Sequence, residues 1–169
     1  MEKLIIGFSR PNKFKIFAWL IMKIWKTPFD HVYVKFRSDY YDRDIIYQAS
    51  GIMVNFMSPV IFAENNLIID EFELDITSEN KIKLMQFAID NAGKPYGLKE
   101  GIGLVLIEIA RHFGKIIKNP FGDGSKTYVC SKLAAYIKEN FTYSNKLINL
   151  PVDIDQISPL DMYNSLKAS

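Results

Sequence analysis

The residues of this chain best suited to covalent chemistry are one cysteine, Cys130, and a histidine far upstream of it, His31. The thiolate of a cysteine is a strong nucleophile, and an imidazole can take the thiol proton and later return it to a leaving group. A lone cysteine with a remote histidine is a pattern of cysteine-nucleophile enzymes. Cys130 is therefore the candidate nucleophile and His31 the candidate base.

The position of Cys130 supports this interpretation. A short apolar approach leads into a segment of helical period that begins at Cys130. The backbone N–H groups and the dipole of a helix start favour an anion, so we expect a lowered thiol pKa. The second histidine, His112, lies in an apolar helical segment, and we interpret it as structural or as a helix C-terminal charge.

A third residue, Gln48, can orient the histidine. Residues 31–36 alternate so that His31, Tyr33 and Lys35 share one face, and residues 45–48 form the next predicted strand. If the two strands form a hairpin across residues 38–44, Gln48 projects beside His31. Its carbonyl could accept the Nδ1 proton, while the backbone N–H of Cys130 is the expected donor to an oxyanion.

The remaining elements indicate an α+β domain, a mostly antiparallel sheet with segregated helices, in which residues 1–169 form one domain. Alternating apolar residues predict further strands over residues 4–8, 52–56 and 67–76. Helical periods predict helices over residues 13–26, 77–91 and 98–118, from Cys130 onward, and after Ser158. The glycines and proline of residues 119–125 predict a mobile loop that forms a wall of the cleft.

Composition excludes several classes of function. A net charge of +2 is too small to indicate a nucleic-acid partner, and one cysteine excludes an internal disulfide and a multi-cysteine metal site. No apolar run is long enough for a bilayer span or typical of a signal peptide, so we expect a cytoplasmic protein, or one released without a cleaved signal. Two tryptophans and flanking lysines in residues 13–26 leave peripheral membrane contact open, although packing against the sheet is the expected role of this helix.

Four motifs in this order resemble the circularly permuted branch of the NlpC/P60 papain-like superfamily. They are Asp30-His31-Val32-Tyr33-Val34, Tyr47-Gln48-Ala49-Ser50-Gly51-Ile52, Gly93-Lys94-Pro95-Tyr96-Gly97 and Tyr128-Val129-Cys130-Ser131-Lys132-Leu133. In that branch the histidine strand precedes the cysteine helix, and a polar residue of the next strand completes the site. Here Gln48 replaces the more usual acid, and Asp30 stands where such families often carry serine.

The resemblance implies a papain-like core and hydrolysis or transfer at an amide or ester. Cys130, His31 and Gln48 are then catalytic, and we assign substrate contacts to Tyr96, Tyr33 and Ser131. Tyr96 could also donate to an oxyanion, or fill the core with its hydroxyl at the surface. No cofactor or metal is expected.

The leading substrate is an amide of a peptide or of a peptidoglycan stem. Two alternatives remain: a thioesterase or acyltransferase acting on lipids, and a non-catalytic module that binds a peptide, lipid or protein. Lipid-acyltransferase relatives usually carry an Asn-Cys-Glu-His-like motif, which the residues around Cys130 do not match.

Overall fold

A five-stranded antiparallel sheet is the centre of the fold in the computed structural model, which describes residues 2–121, 127–142 and 154–168. The strand order is β4-β3-β2-β1-β5, and every neighbouring pair is antiparallel. The strands are β1 (Glu2–Pro11), β2 (His31–Ser38), β3 (Arg43–Ser50), β4 (Met53–Met57) and β5 (Asn66–Ile76).

Six α-helices surround this sheet in the described part of the chain. They are α1 (Ile16–Trp25), α2 (Pro59–Asn65), α3 (Ser78–Asn91), α4 (Leu98–His112), α5 (Cys130–Phe141) and α6 (Pro159–Lys167), with a 3-10 turn at Ile154–Gln156. The prediction of an α+β domain with a mostly antiparallel sheet is therefore confirmed. The permuted NlpC/P60 fold and the single domain over residues 1–169 stay predictions.

The main core lies between one face of the sheet and α5. Alternation along β1 and β2 sends Leu4, Ile6, Val32 and Val34 to this face, where each is 0–1% exposed. Leu133 of α5 packs into the same cluster, and the helix lies across β2 and β3. The sheet therefore fixes the position of the first turn of α5, which holds Cys130.

The opposite face of the sheet is partly covered by α2, which we did not predict. Ser58 caps this helix, because its side chain accepts a hydrogen bond from the Val60 N–H, and Pro59 occupies the first helical position. Phe62 of α2 is 1% exposed and packs on Tyr33, with ring centroids 4.5 Å apart. Position 7 of β1 requires a glycine, because the Tyr33 ring occupies the space that a Cβ atom at this position would fill.

Two helix predictions need correction. Helix α1 packs mainly against α4 rather than against the sheet, through a cluster in which Trp25 meets Leu104 and Ile107. Helix α4 ends at His112 and not at residue 118, because Gly114 adopts a φ of +69° and the Lys115 N–H donates to the Ala110 carbonyl.

One further prediction is confirmed, and another lies partly outside the described residues. Ser158, Pro159 and Asp161 form the predicted cap of α6, with reciprocal side-chain and backbone hydrogen bonds. Of the loop predicted over residues 119–125, residues 122–125 lie outside the described residues. No helix in the described ranges is both long and apolar enough to cross a bilayer.

Candidate active site

Cys130 is the first residue of α5 and lies at the boundary between this helix and the start of β2. Its side chain is 5% exposed and belongs to the main core. The backbone N–H groups of Val32, Ser131 and Cys130 lie close enough to the sulfur to favour its thiolate form. The starts of α5 and of β2 therefore converge on the sulfur, as the sequence predicts for α5.

His31 and Gln48 form the polar pair predicted from strand alternation. Val34 pairs with Tyr47, and continuing this register puts Gln48 opposite Tyr33, which makes His31 and Gln48 diagonal neighbours on one face. The His31 Nε2 and Gln48 Oε1 atoms are 2.7 Å apart. Gln48 is 2% exposed, so this pair is largely shielded from water.

The hydrogen bonds of Gln48 determine which ring nitrogen can act as a base. Its amide Nε2 donates to Asn55 Oδ1 at 3.3 Å, which leaves the carbonyl oxygen to face the imidazole. A carbonyl only accepts, so His31 carries its proton on Nε2, and Nδ1 keeps a lone pair. This corrects our expectation that Gln48 would pair with Nδ1. Gln48 pairs with Nε2, and Nδ1 is the free nitrogen.

The candidate nucleophile Cys130 and the candidate base His31 do not form a direct hydrogen bond. Among the described residues, none joins the Cys130 sulfur to the His31 ring, whose pairing is with Gln48. The predicted close contact between sulfur and ring nitrogen is therefore not present as a hydrogen bond. The Val32 N–H, one residue after His31, contacts the sulfur instead, because Cys130 points toward the backbone of β2.

Tyr96 is the side chain that links the sulfur to the adjacent cavity. Its hydroxyl lies close enough to the Cys130 sulfur to interact with it, and burial, the largest cause, raises the Tyr96 pKa well above its usual value. The ring also lines the cavity. Its backbone is held by a hydrogen bond from the Tyr96 N–H to the Ile52 carbonyl at 2.8 Å. The interpretation of Tyr96 as a cleft residue is thus supported over that of a core residue with an exposed hydroxyl.

The pKa of the Cys130 thiol is raised, whereas the sequence analysis predicts that it is lowered. Burial, the largest cause, and the nearby Asp30 carboxylate raise the pKa of Cys130, which is about 11. The N–H groups of Val32, Ser131 and Cys130 lower it, as predicted for a helix start, but their effect is smaller than that of burial. The expected low thiol pKa is therefore wrong, and Cys130 is a neutral thiol at neutral pH.

The imidazole is also neutral. Burial, the largest cause, and the Lys15 charge lower the pKa of His31 to about 4, against the opposing effect of the hydrogen bond that His31 donates to Gln48. A neutral imidazole with a free Nδ1 lone pair is the form that accepts a proton. The resting pair is thus thiol and imidazole, not thiolate and imidazolium.

Asp30 is a site residue that the sequence analysis noted only as a departure from the family pattern. Burial raises its pKa to about 6, and within the described residues its buried Oδ1 has no hydrogen-bond partner. Lys15 lowers the Asp30 pKa and lines the same cavity. An acid directly before the candidate base was the only available signal, and Lys15 offered none because it is distant from Asp30 in sequence and both line the cavity only in the folded chain.

A cavity of about 430 Å³ adjoins these groups. Its polar lining includes Asp30, His31, Gln48 and Lys15, while Phe17, Ile21 and Leu98 supply apolar surface. A space of this size holds a small acyl or dipeptide group. His31 and Tyr96 line the cavity, whereas Cys130 is not among its lining residues.

Tyr33 and Ser131 do not contact the cavity, which corrects two predicted substrate contacts. Tyr33 is 1% exposed beneath α2, and its hydroxyl donates to Glu71 Oε1 at 2.6 Å. Ser131 is fully buried, and its hydroxyl donates to the Ile157 carbonyl at 2.7 Å. Strand and helix periodicity put both residues near the site, but segments distant in sequence cover their side chains.

His112 is not the base. It lies at the exposed end of α4, where its Nδ1 is 3.0 Å from the Glu108 carbonyl one turn earlier. In the part of the chain that the structure describes, no three His, Cys, Asp or Glu side chains are grouped to hold a metal ion.

A buried ion pair supports the first turn of α5. Lys132 Nζ is 2.9 Å from Glu100 Oε1 of α4, and Thr127 Oγ1 donates to the other oxygen of this carboxylate at 2.9 Å. Lys132 and Glu100 are 5% and 2% exposed. This pair holds α4 against α5 on both sides of Cys130, so the helix start is rigidly supported.

The class defined by fold and site is an α+β protein with a buried thiol, a glutamine-oriented histidine and an adjoining cavity. Compared with protein-family models, curated proteins and solved structures, the chain matches none of them.

Proposed function

We propose that this protein is a papain-like cysteine hydrolase of the permuted NlpC/P60 type, which cleaves an acyl bond through a thioacyl intermediate on Cys130. The observation that carries the proposal is the 2.7 Å contact between His31 Nε2 and Gln48 Oε1. It leaves Nδ1 free as a base at the end of β2, the strand whose Val32 N–H contacts the sulfur. A histidine oriented by a polar partner beside a helix-start cysteine is the arrangement of a cysteine hydrolase.

The first half of the reaction forms the intermediate. His31 Nδ1 takes the Cys130 proton as the sulfur attacks the substrate carbonyl, and the carbonyl electron pair moves to oxygen. The Cys130 N–H, with the Tyr96 hydroxyl beside the sulfur, can donate to this oxyanion. The oxyanion then collapses, the bond to the leaving group breaks, and His31 returns the proton to that group.

Water completes the reaction. His31 removes a proton from a water molecule that attacks the thioester carbonyl, and the second tetrahedral species releases the acid and restores the thiol. The resting thiol is neutral, because burial and Asp30 raise its pKa to about 11. Proton removal by His31 must therefore accompany substrate binding, in general-base catalysis rather than with a preformed ion pair.

The leading substrate is an amide in a peptide or peptidoglycan stem. Asp30 and Lys15 give the cavity one acidic and one basic group, and Gln48 adds an amide that can donate and accept hydrogen bonds. Such a lining suits the amides and charged termini of a peptide better than a plain alkyl chain.

A second candidate is a thioesterase or acyltransferase that acts on lipids. Phe17, Ile21 and Leu98 line the side of the cavity formed by α1 and α4, and Leu98 is 55% exposed. An acyl chain could lie along this apolar side while its carbonyl faces His31. This apolar side is what supports a lipid acyl group as the second candidate substrate.

Turnover of a small substrate panel tests the proposal. Wild-type protein is incubated with peptide anilides, muropeptides and acyl thioesters, beside Cys130→Ala and His31→Ala. We expect wild-type turnover in one class and a loss of roughly 10²-fold or more in both variants. Equal rates in wild type and Cys130→Ala would show that the module binds without catalysis, and the enzyme proposal would be dropped.

A further inference from the structure

Helix α4 carries a continuous apolar stripe on its outer side. Its members recur three or four residues apart: Leu98, Ile102, Leu106, Ile109 and Phe113. At about 100° per residue they fall within an arc of roughly 80°. Each is 39–77% exposed, although the inner residues of the same helix, such as Leu104 and Ile107, are buried. The stripe is an unburied second face of the helix.

The neighbouring helix α1 has a comparable face. Its exposed apolar residues, together with Phe14 two residues before the helix, are Ile16, Phe17, Trp19 and Leu20, and all five are 40–77% exposed. Aromatic side chains dominate this group, and Lys23 Nζ lies 6.0 Å from the centre of the Trp19 ring. Tryptophan beside lysine is a combination enriched where proteins meet the headgroups of a bilayer.

The two faces form one surface, which we call the apolar ridge: the exposed apolar residues of positions 14–20 on α1 and of positions 98–113 on α4. The helices pack together through Trp25, Leu104 and Ile107. Phe17 of one face and Leu98 of the other line the same cavity. The ridge therefore borders the opening beside His31.

Basic residues are concentrated in the two segments that carry the ridge. Residues 12–26 contain Lys13, Lys15, Lys23 and Lys26 and no acid. Residues 98–118 add Lys99, Arg111, Lys115 and Lys118, and their two acids are engaged by cations of the protein, Glu100 by Lys132 and Glu108 by Arg111. The two segments hold eight of the 21 lysines and arginines and two of the 19 acids, so they carry a formal charge of +6 in a chain of +2.

We propose that the apolar ridge docks on a lipid bilayer with anionic headgroups. Amphipathic helices that lie in the plane of a membrane insert an apolar face while lysines on its flanks contact lipid phosphates, and both features are present here. A protein partner or a second copy would not require this excess of cations in both segments that carry the ridge. Docking goes beyond the proposed function, and one consequence rests on that function: the cavity opens at the membrane surface, where the acyl bond would be presented.

The test is sedimentation of the intact protein with vesicles of phosphatidylcholine alone and of phosphatidylcholine with phosphatidylglycerol. We expect binding to the anionic vesicles, weaker binding to the neutral ones, and loss of binding as salt is raised. The ridge variant is Ile16→Ser with Phe113→Ser, residues that are 74% and 77% exposed. The matched control is Ile82→Ser with Ile89→Ser on α3, which are 62% and 61% exposed.

The ridge variant should lose at least roughly tenfold in vesicle affinity, while the α3 control stays within about twofold of wild type. The double variant Lys13→Gln with Lys23→Gln should weaken binding to anionic vesicles but not to neutral ones. The charge control is Lys3→Gln with Lys83→Gln, which removes two lysines outside the ridge. Thermal melts confirm that each variant is folded, which is expected because every substituted side chain is exposed.

Two results would overturn the proposal. One is an absence of binding to anionic vesicles at low salt. The other is a concentration-dependent dimer that the ridge variant abolishes without any vesicle binding, which would make the ridge a self-association surface. Cys130→Ala should bind vesicles like wild type, so failure of the enzyme proposal and failure of docking are separately visible.

Discussion

The Gln48 carbonyl oxygen lies 2.7 Å from His31 Nε2, while the Gln48 amide nitrogen donates to Asn55. Glutamine thus presents an acceptor to the ring and fixes the tautomer in which Nδ1 is the base. Unlike a carboxylate, it does so without adding charge, which is consistent with the His31 pKa of about 4.

Substitution of Gln48 should separate orientation from charge. Gln48→Ala should lower the turnover rate by less than the roughly 10²–10⁴-fold expected for His31→Ala, because it removes orientation but not the base. Gln48→Glu should retain activity and raise the His31 pKa, because a carboxylate stabilises the imidazolium. Rates measured across pH check both, with the exposed Gln86→Ala as control. A Gln48→Ala rate equal to wild type would remove Gln48 from the site.

The pair of His31 and Gln48 could be predicted because it is local: alternation and a short hairpin define both the face and the neighbour. The raised pKa of the Cys130 thiol could not be predicted in this way. Cys130 is surrounded by Val32, Tyr96 and Asp30, which come from distant parts of the chain, and their packing outweighs the helix-start effect.

The errors at Tyr33 and Ser131 have the same origin. Periodicity gives the face on which a side chain lies but not the segment that covers it. Tyr33 is covered by α2, and its start signal, Ser58 followed by Pro59, is visible in the sequence. Ser131 is covered by the segment at Ile157, for which no comparable signal exists.

Removal of the Asp30 charge should make Cys130 more reactive. The Asp30 carboxylate raises the thiol pKa, so Asp30→Asn should shift the pH profile of iodoacetamide alkylation toward lower pH. In wild type we expect the rate to rise only above the roughly 8.5 of a free thiol. Mass spectrometry of the Cys130 peptide measures both profiles, with Asp90→Asn as control. An unchanged profile would show that Asp30 and the sulfur are not electrostatically coupled.

The same variant should change the pH dependence of stability. Burial raises the Asp30 pKa from 3.8 to about 6, so its stabilising contribution is complete below pH 3.8 and is lost as pH rises through about 6. Asp30→Asn should therefore melt at a higher temperature than wild type above pH 6, and this advantage should shrink toward pH 4. The His31 contribution is common to both proteins, and calorimetry that finds a constant difference across this range would contradict the assignment.

Tyr96 should control access to the sulfur. Because it lines the cavity and contacts Cys130, Tyr96→Ala should accelerate alkylation of Cys130 at a fixed pH. Tyr96→Phe keeps the ring and should change the alkylation rate much less. The exposed Tyr40→Ala is the control. If Tyr96→Ala alkylates no faster than wild type, the sulfur is reached by another path.

Replacement of Cys130 should affect chemistry far more than folding. Its side chain is 5% exposed in the core, so Cys130→Ala should lower the free energy of unfolding by roughly 0.5–1.5 kcal/mol, as for loss of one buried group. Chemical denaturation measures this change. A loss of several kcal/mol would mean that inactivity of the variant reports unfolding, and Cys130→Ser would then be needed to assign the role of the thiol.

The most direct test of the central claim is detection of an acyl group on Cys130 by mass spectrometry. The protein is mixed with p-nitrophenyl acetate, stopped in acid after increasing times, and digested. We predict a thioester on the Cys130 peptide that forms and then decays in wild type, forms much more slowly in His31→Ala, and is absent in Cys130→Ala. Acetyl groups confined to lysines, with none on Cys130 at any time, would contradict the account.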